Sequence, residues 1–297
     1  MTDRHLALNA QDLRYPTAIR NTDGGFGRAV RVRTTALRQD YLTQNPHAVL
    51  ADVAWCSRAI AGYLSLDDLR GDSIPLRRAV ADAAVAQTAR LRSVLRPAGQ
   101  EPVEVTLNAE QWSVPATGGL VPPPTIADVL SGLWPALIGR DGELLAFLLG
   151  STGAQGYPLS ATTRTGDPRE RCLYLWADAW QRVWTGDPAA ETILVDGIEA
   201  AVDAQAGAED DYPLTIAYFA LCLLDAVARN EPAEFDTALF EGLEFHRRYW
   251  DTPQRWVDPE GFIAWPLLAV ACLAVDRGMR PGVATGYLPV GLLYRQA

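Results

Sequence analysis

The chain has no lysine: all 26 basic residues among its 297 are arginine. That absence removes the lysine of a phosphate-binding P-loop, Schiff-base chemistry and any lysine general base. Histidine is nearly as scarce. His5, His47 and His246 stand alone and make no HxxxH or HExxH pair, a poor start for a zinc site. Cys56, Cys172, Cys222 and Cys272 are far apart, each among apolar neighbours, and no two form a CxxC pair. They read as buried free thiols, so no metal and no cofactor is expected. The first residues lack the basic start and apolar core of a secretory signal, which points to a cytoplasmic protein. The longest apolar run, Phe262–Val275, falls short of the roughly 20 residues that cross a bilayer and contains Pro266, so a buried helix is expected there and no membrane partner.

What is present is ample core material. Residues of hydrophobic type make up 48% of the chain and nine are Trp, enough apolar surface to offset the entropy of ordering a globular protein. Charge is unevenly spread. Residues 1–100 hold 14 Arg against 9 Asp and no Glu, a balance of +5, whereas residues 187–251 hold 15 acids against 3 Arg, a balance of −12. The acidity belongs to one segment. It argues against binding nucleic acid there and for a basic protein partner, with simple solubility as the competing reading.

Four acidic-Pro dipeptides, Asp167-Pro168, Asp187-Pro188, Glu231-Pro232 and Asp258-Pro259, each precede an apolar periodic run. An acid near the N-cap accepts from unpaired amides, and Pro at the first helical position loses nothing, so these mark helix starts. The helical period gives helices near 24–43, 46–65, 74–95, 124–139, 141–149, 168–185, 188–205, 213–229, 232–250, 259–277 and 288–295. Leu173, Trp176, Trp180 and Trp184 share one face, which should be buried. Only residues 102–116 alternate with period two, and a single β-hairpin is expected near 103–115. The expected fold is therefore mainly all-α, with stacked helical hairpins as in a solenoid and one short hairpin. Residues 1–100 form an N-terminal helical group, residues 101–297 the hairpin and C-terminal helices, and the two make one compact unit.

Motifs that would carry catalysis fail. The clustered glycines of NTDGGFGRA, 21–29, lack GxGxxG spacing and a preceding strand, and GSTG, 150–153, is not a GxSxG elbow. The stretch EFHRRYWDTP, 244–253, surrounds His246 with ionisable residues, yet helical steps back from Trp250 run through His246, Leu243, Leu239 and Phe235 with no carboxylate in the stripe. His246 reads as a core residue at a helix end, and no catalytic residue is expected.

The run 249–293, with its aromatic pair Tyr249-Trp250, the stretch PLLAVACLAVDRG and the closing Tyr287-Leu288-Pro289, resembles the C-terminal part of the immunity protein 49 family, bacterial proteins that neutralise a co-encoded toxin. The hairpin followed by PATG, 115–118, is also similar, and the likeness is poor before residue 100. The resemblance implies a binder that blocks a toxin's active site or substrate access, and no enzyme. An α-helical scaffold that binds another protein is the alternative. A cognate toxin, basic in character, would meet the acidic segment, and the partner-binding residues expected are Glu209, Asp210, Asp211, Glu234, Glu241 and Glu244. The last three can share one polar face of their helix.

Overall fold

The computed structural model describes residues 24–68, 70–118, 125–152, 168–205 and 212–294. Among these residues 72% are helical, in 12 helices packed against one another, with one two-stranded antiparallel sheet, the mainly all-α class that the sequence implies. The helices are α1 Gly25–Ala36, α2 Gln39–Gln44, α3 Pro46–Asp67, α4 Ile74–Leu95, α5 Ile126–Gly139, α6 Gly142–Thr152, α7 Pro168–Thr185, α8 Ala190–Gln205, α9 Tyr212–Arg229, α10 Pro232–Trp250, α11 Trp265–Asp276 and α12 Val290–Leu293. Strands β1 Val103–Leu107 and β2 Glu110–Val114 pair from Val103 opposite Val114 to Leu107 opposite Glu110.

Local chemistry sets most of the boundaries. The Asn45 side chain accepts from the amide of Ala48, Ser73 does the same for Leu76, and each is followed by a proline in the first turn. Thr125 and Asp128 exchange hydrogen bonds in a full capping box at the start of α5. Among the acidic-Pro starts, Asp187 accepts from the amide of Ala189 at 2.8 Å, while Glu231 precedes α10 without a side-chain cap bond. Asp167 lies outside the described residues.

Four expectations need correction. The helix expected over 24–43 is two, parted at Leu37-Arg38. Asp258-Pro259 starts only a 3₁₀ turn, Pro259–Gly261, and α11 begins at Trp265. Pro266 explains the restart, because a helix running through it would need an amide hydrogen that proline lacks. Trp184, on the stripe expected to be buried, is 41% exposed, whereas Trp176 and Trp180 are enclosed. Pro46–Asp67 and Pro259–Asp276 are long and apolar enough to cross a bilayer by composition alone, so length does not exclude a span; most of each window is instead buried inside the protein.

The hairpins of α7 to α10 stack as expected, and the stack closes on itself. α5, α7, α9 and α11 each pack on the next, and α11 returns to α5, so these four form a ring of inner helices. α8 packs outside on α7 and α9, and α10 outside on α9 and α11. Within the ring Trp134 lies 4.6 Å from Trp176 and 5.9 Å from Trp180, centroid to centroid. α4 backs onto α5 and α3 onto α4. The far end of α3 meets the 3₁₀ turn, where a Cβ on Gly62 would collide with the carbonyl of Pro259. Beside it Arg58 pairs with Glu260 at 3.1 Å.

Candidate functional site

The acidic segment occupies the outer helices α8 and α10. On α8, AETILVDGIEAAVDAQ, the small and apolar residues Leu194, Gly197, Ala200 and Ala201 are buried towards the inner helices. The opposite side is open. Glu191, Val195, Glu199 and Val202 follow at steps of four, four and three, with Asp203 beside them, and all five are exposed. Val195 and Val202 are 47% and 54% exposed, and Asp196 stands half-buried at the edge of the stripe. Among the described residues none of Glu191, Asp196, Glu199 and Asp203 has an ion-pair partner, although other acids of the segment do.

α10 differs. Glu234 and Glu241 are exposed and Glu244 is half-buried, all within one polar arc of the helix. Glu234 is paired with Arg229, which also holds Asp225 at 2.6 Å, and Glu244 is held by Arg247 at 3.1 Å. The hydrogen bond from Arg229 keeps the Glu234 carboxyl below its ordinary range. Glu241 alone of the three has no such ion pair among the described residues. Glu209, Asp210 and Asp211 lie outside the described residues.

Residues on α8 escaped the sequence reading, which favoured the clustered acids of the turn and of α10. A signal was available: no arginine occurs between Arg182 and Arg229, so no α8 acid can find a cation three or four residues away.

Elsewhere the chemistry is quiet. His246 is fully buried, its Nε2 is 2.9 Å from the carbonyl oxygen of Gly261, and its ring centroid is 5.0 Å from that of Tyr287. Burial lowers its pKa to about 4, against the smaller opposing effect of the Gly261 bond, so the ring is neutral at pH 7 and donates to that carbonyl. Burial also pushes the thiols of Cys56 and Cys272 up to about 11 and about 12, which leaves them protonated and unreactive. No group of three His, Cys, Asp or Glu among the described residues could hold a metal ion.

Residues 74–292 match the family described as Immunity protein 49. The chain belongs to that family. The match starts at the first residue of α4, so it takes in a helix of the N-terminal group where the resemblance was poor, and it ends inside α12. It therefore spans the whole inner ring and both acidic outer helices of an Immunity protein 49 member. No curated protein and no solved structure matches the chain.

Proposed function

We propose that the chain is the cytoplasmic immunity partner of a bacterial toxin and acts by binding, with the exposed stripe of α8 as the centre of its contact surface. The observation that supports this most is the combination on one helix side of four acids that meet no cation among the described residues and two bare valines. Unpaired surface acids steer a basic partner, raising association rates by roughly 10 to 10³, and the valines give that partner apolar area to bury. Glu241 on α10 extends the acidic surface; Glu234 and Glu244 serve it less, because their charge is already met by Arg229 and Arg247. The toxin is occluded and not modified. Membership of the Immunity protein 49 family and the neutral, enclosed state of His246 and the buried thiols favour occlusion over catalysis.

The test uses the toxin domain encoded beside this gene. Glu191→Gln, Asp196→Asn, Glu199→Gln and Asp203→Asn combined should slow association about tenfold at low salt and flatten its salt dependence, with melting unchanged. Equal association rates and equal salt slopes for the two proteins would move the interface off α8.

A further inference from the structure

The stretch EFHRRYWDTP, 244–253, sends His246 into the core, and its other side builds a separate feature. At the C-terminal end of α10 a hollow of about 520 Å³ is lined by Phe245, Arg248, Tyr249, Thr252, Gln254 and Arg255. Phe245, Arg248 and Tyr249 share one side of the helix, at steps of three and four, and the chain that follows α10 supplies the other three. Two of the six are arginines that the fold leaves unneutralised. Nε of Arg248 donates to the carbonyl of Glu244 and Nη1 of Arg255 to that of Tyr249, each at 3.3 Å. These contacts serve carbonyls near the end of α10 and use one of the five N–H donors of each guanidinium. Neither arginine has an ion-pair partner among the described residues, although nearby Arg247 takes Glu244, and Arg229 takes Asp225 and Glu234.

Flat groups complete the lining. The Arg255 guanidinium lies over the Tyr249 ring, 3.9 Å from its centroid, and Tyr249 leads through Phe245 to Phe219 in a line of rings 6.2 and 6.0 Å apart. One cation of the pair is thereby held in place before any ligand arrives, which lowers the ordering cost of binding. Gln254 is exposed at the rim and brings an amide that can both donate and accept. The hollow thus offers two cations, stacked planes and a polar edge in one place.

We propose that this hollow binds a nucleoside monophosphate, its phosphate between Arg248 and Arg255 and its base on the open face of the Arg255 guanidinium beside Phe245, with the Gln254 amide at the base edge. Two guanidinium forks match the charge and the oxygens of a phosphate dianion, and bases stack on arginine planes and aromatic rings. The volume falls among ligand pockets, which hold roughly 300–1,000 Å³. Exposed Glu241 and Asp251 on the same end of the helix favour one nucleotide over a strand, whose many phosphates they would repel. The charge of the site is opposite to that of α8, so its ligand is a different kind of molecule from a basic toxin surface, and the site does not depend on the immunity reading.

Calorimetric titration of the full chain with AMP, adenosine, inorganic phosphate and a short oligoadenylate decides it. AMP should bind one to one, at least about tenfold more tightly than adenosine or phosphate alone. Arg248→Gln should weaken AMP about tenfold and leave adenosine unchanged, whereas Arg255→Gln should weaken both, because it removes the stacking plane along with the charge. Arg280→Gln, at an exposed arginine outside the hollow, should bind as the wild type does. Equal affinity for AMP and phosphate would mean that the rings take no part, and equal affinity for AMP and adenosine that the arginines take none; either overturns the proposal. So would tighter binding of the oligoadenylate than of AMP, or absence of AMP binding at concentrations on the order of 10 mM. Should Arg255→Gln fail to fold, Arg248→Gln and the ranking of the probes on the wild type still decide.

Discussion

The arginine-rich first hundred residues and the acidic helix α8 carry charge of opposite sign to opposite ends. In the first region several arginines fasten elements to one another: Arg33 to Asp82 at 3.3 Å, Arg58 to Glu260 at 3.1 Å and Arg90 to Asp128 at 2.6 Å. Asp82 in turn accepts from the amide of Asn108, so one buried carboxylate ties α1, α4 and the β-hairpin turn together. On α8 no acid is used in this way among the described residues. A segment's net charge thus says how much charge exists and nothing about whether the fold has already consumed it. The positive balance of the first region is partly internal, and the negative balance of α8 is available to a partner.

His246 tests whether the acidic segment holds an internal group of its own. Its folded pKa is about 4 against an ordinary 6.5, so between those values the unfolded chain binds a proton that the folded chain refuses. Stability from this group is complete above pH 6.5 and is lost as pH falls towards 4, by up to roughly 3 kcal/mol at about 1.4 kcal/mol per pH unit. Urea midpoints of wild type and His246→Gln, taken from pH 7 to 4.5, should converge as pH falls, because the carboxylates titrate in both and cancel. Parallel curves would mean that the ring is solvated.

Arg90 tests the fastening role. Burial alone would raise the Asp128 carboxyl, but the amide of Thr125 and the guanidinium of Arg90 outweigh it and hold the carboxyl below its ordinary range. Asp128 also caps α5, so Arg90→Ala should loosen the cap and leave a half-buried carboxylate without its cation, at a cost of about 2 kcal/mol. The variant should melt roughly 4–8 °C lower, and Arg90→Lys should recover only part of this because it lacks the forked geometry. No change in melting would place Arg90 with the idle surface arginines.

Much of this architecture was legible because it is set locally. Asn45-Pro46, Ser73 with Pro75, and Thr125 with Asp128 start their helices by hydrogen bonds made within four residues, and alternation of Val103, Val105 and Leu107 fixes the strand. Closure of the ring was not legible, since the contact of α11 with α5 joins segments over a hundred residues apart and no local pattern encodes it. The exposure of Trp184 has the same origin: periodicity gives its angle around α7 but not where the neighbouring helices stop. At the surface the charge of the segment was legible and its pairing was not, because whether an acid is met by an arginine depends on rotamers and on helix ends such as Arg229 beside Glu234.

The smallest effect separates the two acidic helices. Glu234 and Glu244 are each matched by an arginine of the same chain, so their charge is already partly offset, and Arg229 keeps Asp225 when Glu234 is removed. Glu234→Gln with Glu244→Gln leaves Arg229 and Arg247 with fewer local acids, and the field felt by an approaching basic surface changes by two charges close to those cations. The α8 acids have no such counterweight among the described residues. Toxin association measured at two salt concentrations should therefore slow less than about twofold for the α10 pair, against about tenfold for the four α8 substitutions. A larger effect from the α10 pair would mean that the toxin displaces Arg229 and Arg247 from their acids on binding, and it would shift the centre of the contact surface to α10.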